Sequence, residues 1–433
     1  MITIRKLQMV STQITENYIQ ILQEELIPAL GCTEPISLAF AAAKVRDVLG
    51  CIPEKITVQA SGNIIKNVKG VVVPNSGGLK GVKTAIAMGV IGGDANKNLE
   101  VLEGVTQTDI EQAKHYNDTV IFKLQVLSSA AKLHLIIFAE GSGHQALVEI
   151  IHQHTHIVRI EKDTDIIFSI PYDENNNSDS LTDRSMLSIE NIVAFAETVP
   201  LDRILSVIEK QIVCNTAISK EGLTHQWGVN VGKNLIKHYG NDIRIRAKAA
   251  AAAGSDARMS GCVLPVVINS GSGNQGMTAS LPVIEYALEL GISHESLIRA
   301  LVISNLCAIH QKTKIGRLSA YCGVVSAACG AGAAITWMHG GSYQQIEETM
   351  TNTLANVSGI LCDGAKPSCA AKIASSVDAA IMAHYLSSEN QAFVSGDGIV
   401  KSTLENTLIG IGKIANEGMV GTDTTILSIM IDE

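Results

Sequence analysis

Cys362 and Cys369 flank a short stretch of the sequence that could do chemistry. Between them, Gly364 and Pro367 interrupt any helix, and Pro367 also moves the preceding Lys366 away from helical backbone angles. Helical patterns precede and follow this stretch, so two thiols bracket one tight loop. Such a loop can bind a metal, present a nucleophile, or simply join two core helices.

Three further cysteines stand in contexts that suit the same chemistry. Cys32 lies in the run Gly-Cys-Thr-Glu-Pro, which predicts a helix N-terminus. There the positive end of the helix dipole lowers the pKa of a thiol and favours anions. Cys322 and Cys329 are two helical turns apart, so a single helix would place both on one face. The other four cysteines have apolar or ordinary neighbours and are interpreted as core residues: Cys51, Cys214, Cys262 and Cys307.

The spacings of the cysteines do not by themselves show whether the thiols bind a metal, act as nucleophiles or pack in the core. Soft iron and zinc prefer thiolate ligands. These spacings, however, match neither the tight pairs of zinc ribbons nor the runs of ferredoxins. A metal site, a nucleophile and core packing therefore all stay open at this point.

A glycine-rich run follows the apolar stretch 263–268 and fits the dinucleotide-binding pattern G-x-G-x-x-G. That motif also requires a second strand ending in an acid, but the following residues predict only helices. A loop of free amides beside a helix N-terminus instead suits a carboxylate. The sequence thus predicts that an amino-acid substrate is bound by Ser270, Gly271, Ser272, Gly273, Asn274, Gln275 and Gly276.

Two other patterns have both a functional and a plain interpretation. His152, His154 and His156 alternate, and a strand would turn all three imidazoles to one face, as in a zinc or nickel site. No acid or cysteine stands at a matching spacing, which favours an exposed polar strand face. The range 75–80, between a predicted strand and a helix, either cradles an anion or makes a tight turn.

The order of predicted elements indicates an α+β protein, with a mainly helical catalytic domain and an inserted α+β domain. Residues 1–50 are expected to form N-terminal helices that pack on the catalytic domain. Residues 51–180 are the predicted α+β insert, which ends in a polar linker at 173–180. Residues 181–433 are expected to form the all-helical domain, with glycine-rich breaks at 261–276 and 359–366.

Composition narrows the classes of partner and compartment. A net charge of −9 argues against nucleic acid or an anionic membrane, and leaves a small molecule as the expected ligand. The start, residues 1–8, lacks the pattern of a signal peptide, and the uncharged stretch 323–338 is too short to span a bilayer. Nine cysteines then predict a reducing cytoplasm, and the small-residue helices are compatible with a homodimer.

Four of these stretches together resemble the L-cysteine desulfidase family, which includes many uncharacterised bacterial members and is related to the iron–sulfur L-serine dehydratase alpha domain. They are the ranges 29–35, 269–276, 322–323 and 362–367. The resemblance extends over nearly the full length of the chain. It implies an oxygen-sensitive [4Fe-4S] cluster and conversion of L-cysteine to sulfide, ammonia and pyruvate.

Carried over to this sequence, the resemblance implies that Cys322 and Cys362 hold the cluster. Cys369 matches the second cysteine of the dehydratase loop and is the predicted third ligand, with the choice between Cys369 and Cys329 left open. Cys32 is a functional cysteine of the family, either as an iron ligand or in contact with substrate. The related dehydratases have a cysteine near the C-terminus that can occupy a cluster site, and this chain ends without one. The fourth iron site is therefore either open or taken by Cys32.

The mechanism that follows is an elimination assisted by iron as a Lewis acid, with a base that removes the α-proton. Cys32 as a helix-start thiolate is the first candidate for the base, ahead of Glu34 and Lys366. Thr33 and the glycine-rich run would hold the substrate. Two alternatives remain: a dehydratase of L-serine or another β-substituted amino acid with the same cluster, and a non-catalytic protein that binds an amino acid for regulation.

Overall fold

The computed structural model describes residues 10–175 and 182–431, and it confirms the predicted α+β class with a mainly helical domain. The predicted start at 1–8 and residues 176–180 of the predicted linker lie outside the described residues. The described chain begins with α1 (Thr12–Glu25), the short strand β1 (Pro28–Leu30) and α2 (Thr33–Leu49).

A six-stranded sheet forms the centre of the region predicted as the insert. Its spatial order is β3-β2-β4-β5-β6-β7, and only β2 and β3 run parallel. Alternating burial along β2 and β4 shows that one face of the sheet is covered, as period-two hydrophobic patterns require. The strands are β2 (Lys55–Ala60), β3 (Ile121–Val126), β4 (His134–Gly141), β5 (His144–Ile151), β6 (Ile157–Lys162) and β7 (Asp165–Ser169).

Three α-helices and a 3-10 turn lie between β2 and β3. They are α3 (Gly62–Lys69), α4 (Val82–Gly92), the 3-10 segment Ala95–Glu100 and α5 (Gln107–Thr119). Helix α2 packs against α4 and against the face of the sheet at β4 and β5. The apolar side chains of α2 thus cover one face of the sheet. Helix α1 contacts α6 (Ile189–Thr198), the first helix of the second part of the chain.

The second part of the chain is almost entirely helical. Its elements are α6 (Ile189–Thr198), the 3-10 turn Leu201–Arg203, α7 (Leu205–Thr224), α8 (Val231–Tyr239), α9 (Ile243–Met259), β8 (Pro265–Val267), α10 (Gly273–Leu290), α11 (His294–Ile315), α12 (Gly323–Met338), α13 (Tyr343–Val357), α14 (Cys369–Ser388), α15 (Leu404–Lys413), a π-helical turn Ile414–Gly418 and α16 (Val420–Ile431). Strand β8 pairs antiparallel with β1 and so ties the N-terminus to this part.

Close helix packing explains the many small residues of this part. Helices α11 and α12 approach so closely that a Cβ at Gly330 would lie 2.3 Å from the carbonyl oxygen of Ser304. Helix α12 is buried along nearly its whole length, as the uncharged stretch predicts. Its small side chains allow α10, α11, α13 and α14 to surround it. Among the described helices, none has both the length and the apolar character needed to cross a bilayer.

The strand predicted before the range 75–80 is absent from the described chain. In the run 70–74, Val72 forms only an isolated bridge with Lys80. Helix α3 has eight residues, too few for a sequence pattern to show a clear helical period. Strand β7 has five exposed residues and no alternating pattern of burial.

Asp256 is a buried acid of α9 whose charge has little compensation. Its Oδ2 accepts a hydrogen bond from the amide of Gly232 at 3.1 Å, while Oδ1 has no partner among the described residues. Burial raises the pKa of Asp256 to about 6. The folded protein therefore binds this proton more tightly than the unfolded chain does. The resulting stabilisation is complete below the unfolded pKa and is lost as pH rises through about 6.

Replacing Asp256 with asparagine removes this titration. We expect the free energy of unfolding to rise by about 1–3 kcal/mol at pH 8, and to change little at pH 4, where the wild-type side chain is already neutral. Urea unfolding at the two pH values measures the difference. An equal effect at both pH values would contradict the raised pKa.

Candidate functional site

One cavity gathers the four cysteines to which the sequence assigned chemistry. Cys32, Cys322, Cys362 and Cys369 all line it, although they belong to well-separated parts of the chain. The cavity is small, with a volume of about 90 Å³. The fold thus brings thiols from distant parts of the chain to one confined space.

Three helices begin at this cavity with a cysteine. Cys32 is the N-cap of α2, Cys322 is the N-cap of α12, and Cys369 is the first residue of α14. None of these three helices has a side chain that caps its first amide groups. Unpaired amides and the positive ends of three helix dipoles therefore point toward the cysteines, an environment that stabilises thiolates and other anions.

Backbone pairing brings Cys322 and Cys362 together. The amide of Cys322 donates to the carbonyl oxygen of Ile360 at 3.1 Å, and the amide of Cys362 donates to that of Ala320 at 2.6 Å. The neighbouring Cys322 thiol and the charge of Lys66 lower the pKa of Cys362 below its ordinary value. The proximity of Cys362 raises the pKa of Cys322. Of the two, Cys362 therefore ionises more readily, and the thiolate is the form that binds metals.

Cys32 does not have the lowered pKa that its place at a helix start predicts. Burial and the neighbouring Glu34 carboxylate raise the pKa of Cys32 well above its ordinary value, and the charge of Arg258 only partly opposes them. The Cys32 thiol donates a hydrogen bond to Glu34 Oε2 at 3.0 Å. In this structure Cys32 is therefore a neutral thiol, because burial outweighs the helix dipole.

Glu34 is held as a carboxylate. Burial alone would raise its pKa, but contacts with His154 and with the Cys32 thiol lower the pKa of Glu34 to about 2. The amide nitrogen of Asn67 donates to Glu34 Oε1 at 2.8 Å. The Thr33 hydroxyl lies 3.2 Å from Oε2. So weak a base is better suited to orienting its neighbours than to removing a proton near pH 7.

His154 was assigned to an exposed strand face, but it is buried in the cavity wall. The segment 152–156 is a turn between β5 and β6, so the three alternating histidines do not share a face. The His152 ring bonds to the carbonyl oxygen of Asp173, whereas His154 Nε2 lies 3.9 Å from Glu34 Oε1 and has no hydrogen-bond partner in the described chain. The alternation drew attention to His154, but only the tertiary fold reveals its partner.

The predicted substrate-binding run is only partly a loop. Ser270, Gly271 and Ser272 form the turn, and the next four residues are the first turn of α10. A Cβ at Gly276 would lie 2.0 Å from the carbonyl oxygen of Val267, so only glycine lets α10 pack against β8 there. Gly273 likewise allows close packing, and neither of these two glycines lines the cavity.

Two polar side chains of this run face the cavity without a partner. Asn274 Oδ1 and Gln275 Oε1 are buried, and neither has a hydrogen-bond partner in the described residues. Buried polar atoms are nearly always paired, so unpaired ones in a cavity wall indicate a place for a polar ligand. Thr33 has a different role, because its hydroxyl donates to the carbonyl oxygen of Gly271 at 2.9 Å and joins α2 to the turn.

Lys366 lies outside the cavity wall, contrary to its assignment as a base. Its ammonium group donates to the carbonyl oxygens of Asp363 and Gly364 and pairs with the Asp363 carboxylate. It thereby stabilises the loop that carries Cys362. Cys329 is also remote from the cavity, since its thiol points at the carbonyl oxygen of Met350 on α13. The conjecture that Cys322 and Cys329 share a helix face fails because Cys322 precedes the helix.

Two buried lysines that the sequence did not reveal line the cavity. Lys312 of α11 is 5% exposed, and burial lowers its pKa to about 8. Lys66 of α3 donates to the carbonyl oxygen of Cys362 at 3.3 Å and pairs with Asp423 at 2.6 Å. Both place positive charge beside the cysteine pair, which further favours thiolates.

Removing Asp423 would leave the buried Lys66 ammonium unpaired. We expect Asp423→Ala to lower the free energy of unfolding by about 3 kcal/mol, since breaking a buried ion pair strands a charge. Asp378→Ala is the matched control, because Asp378 pairs with Lys248 at an exposed position and should change stability by less than about 1 kcal/mol. Denaturant unfolding compares the two variants. Similar losses in both would contradict the role of Asp423.

The donor atoms of the cavity are mainly thiols. Within the described residues, no group of three or more His, Cys, Asp or Glu side chains is arranged to hold a metal ion. Iron–sulfur clusters take thiolate ligands, which surround the cluster on several sides. Four thiols around one cavity, with three helix N-termini and two buried lysines, are the donor set and the positive surroundings that such an anionic group needs.

The chain is similar in sequence to known proteins. A family model described as the serine dehydratase alpha chain matches residues 96–428. A UPF0597 protein of Lachnoclostridium phytofermentans is 54% identical over 414 residues, which cover 96% of this chain and 99% of the relative. A UPF0597 protein of Treponema denticola is 49% identical over 423 residues, which cover 96% and 98%.

Proposed function

The chain belongs to the serine dehydratase alpha chain family, and from this premise we propose that it is a lyase that eliminates sulfide from L-cysteine. The products are pyruvate, ammonia and hydrogen sulfide. The family supports a role of the lyase or dehydratase type and is associated with iron–sulfur chemistry. The observation that carries the proposal is the meeting of four distant cysteines at one positively charged cavity.

Cys322, Cys362 and Cys369 would hold a [4Fe-4S] cluster, and Cys32 lies in the same cavity as a fourth thiol. When bound, the cluster supplies a Lewis-acid iron that stabilises negative charge on the leaving group. Lys66 and Lys312 balance the charge of the thiolates. The Ser270–Gln275 wall, with its unpaired amide oxygens, binds the polar end of the amino acid.

His154 is the best-placed base of this chain. Its Nε2 has no hydrogen-bond partner in the described part, and it would accept the α-proton of the substrate. The Glu34 carboxylate, 3.9 Å away, would stabilise the resulting imidazolium. Loss of that proton and cleavage of the Cβ–S bond release sulfide and leave aminoacrylate. Aminoacrylate tautomerises to the imine, which water hydrolyses to pyruvate and ammonia.

The test is anaerobic reconstitution with iron and sulfide, followed by an assay with L-cysteine. We expect stoichiometric iron and acid-labile sulfide, a broad visible absorption, and release of sulfide, ammonia and pyruvate in equal amounts. Failure to incorporate iron would refute the proposal. Iron-loaded protein that binds an amino acid but releases neither sulfide nor ammonia would favour the non-catalytic alternative.

A second candidate reaction is dehydration of L-serine or another β-substituted amino acid at the same site. The match to a serine dehydratase alpha chain model favours it. Both reactions need the same base and the same Lewis acid, and they differ in the leaving group. Equal concentrations of L-cysteine and L-serine, assayed together for pyruvate and sulfide, separate the two. A higher kcat/KM for L-serine than for L-cysteine would show that the protein is a dehydratase and not a desulfidase.

We also propose a cellular compartment and an oligomeric state for the protein. All nine cysteines are free thiols, as the cytoplasm would maintain them. The proposed partner is a small amino acid, and the proposed assembly is a homodimer. Light scattering of the iron-loaded protein measures the mass directly, and a monomer would reject that assembly.

A further inference from the structure

Arg258 differs from every other arginine that the structure describes. Each of the other eight forms an ion pair with an aspartate or a glutamate. Arg258 forms none, and no hydrogen bond of its guanidinium is found within the described part of the chain. It is also the one buried arginine of the described set, with 2% of its surface exposed. Arg258 is thus the most buried of the described arginines and the one among them without an acidic partner.

This arrangement is unfavourable in the free protein. A buried charge loses its hydration, and proteins keep such a charge almost only where it is paired. The guanidinium of arginine stays protonated in proteins, so loss of a proton does not remove this charge. An anion bound in the cavity would supply the missing counter-charge.

Among the described residues, no carboxylate pairs with Arg258. Glu34 is the acidic residue of the cavity wall, and its oxygens accept hydrogen bonds from Asn67 and from the Cys32 thiol. Asp256 is two residues away in sequence, but it does not line the cavity; its Oδ2 accepts from the amide of Gly232, and its Oδ1 has no partner in the described chain.

Arg258 also lies against the start of α10. A Cβ at Gly273 would come within 2.4 Å of Arg258 Nε, so the absence of a side chain there is what admits the guanidinium. Ser272, the N-cap of α10, makes no side-chain bond to the first amides of the helix. A guanidinium and an uncapped helix N-terminus therefore meet at one wall of the cavity, beside the unpaired Asn274 oxygen.

We propose that Arg258 and the N-terminal turn of α10 form a carboxylate-binding subsite, and that its ligand is the α-carboxylate of an amino acid. This inference rests on the proposed function for the identity of the ligand as an amino acid. A guanidinium and a carboxylate form paired, charge-assisted hydrogen bonds, and backbone amides add further donors. The unpaired Asn274 and Gln275 oxygens are acceptors for the ammonium group of the same molecule. The subsite thus orients the substrate by its α-carboxylate and its α-ammonium group, which all α-amino acids of this kind share. The β-substituent stays free.

Iron-free protein tests the subsite without any reaction. L-alanine has no leaving group, and L-alaninamide has nearly the same shape but lacks the negative charge. By isothermal titration, we expect the wild type to bind L-alanine at least about 10-fold more tightly than L-alaninamide. In Arg258→Gln this preference should fall to about one. Arg258→Lys, which retains the charge but not the paired geometry, should lie between them.

Arg203→Gln is the matched control, because Arg203 pairs with Glu16 at the surface and should keep the wild-type preference. Thermal unfolding supplies a second readout. Without ligand, Arg258→Gln should melt no lower than the wild type, since it loses no ion pair. L-alanine should raise the melting temperature of the wild type only.

An unchanged preference in Arg258→Gln, or equal affinity of the wild type for L-alanine and L-alaninamide, would overturn the subsite. If Arg258→Gln does not fold, a wild-type preference in Arg258→Lys would overturn it in the same way. Failure of the proposed reaction is distinguishable, because it concerns iron content and sulfide release, which these binding measurements do not use.

Discussion

Replacing Cys362 with alanine is expected to prevent iron incorporation and to reduce sulfide release at least about 100-fold. Cys362 is the cavity cysteine whose pKa is lowered, so its thiol ionises most readily of the three assigned ligands. Its removal also takes away the thiol next to Cys322. Iron content and anaerobic sulfide release measure the two losses separately.

Cys329→Ala is the control for this experiment. Cys329 has the same side chain and lies only seven residues from Cys322, but its thiol points at α13 and not into the cavity. It should keep the iron content and the activity, with at most a modest loss of stability from the small void. Full sulfide release by Cys362→Ala, or loss of iron in Cys329→Ala alone, would show that the ligands are assigned wrongly.

Replacing His154 with glutamine is expected to lower kcat about 100- to 10,000-fold, the usual contribution of a positioned acid–base group. Glutamine keeps a polar side chain of similar length, so the turn and the hydrogen bond from Ser37 to the backbone of His154 should persist. Iron content should stay at the wild-type value. The loss would therefore be one of proton transfer and not of the cofactor.

His152→Gln is the matched control in the same turn, because the His152 ring bonds to the Asp173 backbone away from the cavity. Exchange of the α-proton of L-alanine in heavy water reports on the base directly, since it requires no leaving group. We expect exchange in the wild type and in His152→Gln, and none in His154→Gln. Wild-type exchange in His154→Gln would assign the base to another residue.

The wrong expectation for Cys32 shows where local reasoning fails. Its position at a helix start was predicted correctly from Pro35 and the preceding glycine. That position alone would lower the pKa of the thiol. Its burial and the neighbouring Glu34 carboxylate raise it instead, and burial depends on residues far away in the sequence. The helix dipole is a local property, whereas desolvation is not.

In the glycine-rich run 270–276, too, some features follow from the local sequence and others from long-range packing. The residues after the run predict only helices, which argued against a dinucleotide site, and α10 and α11 confirm those helices. The composition of the run could not indicate that its second half is helical, because Gly273 and Gly276 are poor helix formers. Their place in α10 is decided by contacts with Arg258 and with the backbone of β8. Packing outweighs intrinsic propensity at such positions.

The sequence by itself determined the fold class, most of the strands and helices, and the short segments around Cys32, Cys322 and Cys362. These follow from hydrophobic periods, helix caps and residue chemistry, which act over a few residues. Only the tertiary structure decided that these segments meet at one cavity, that His154 reaches it from the sheet, and that Arg258 is buried there with no partner among the described residues. Those outcomes depend on long-range packing and on burial, which no short stretch of sequence contains.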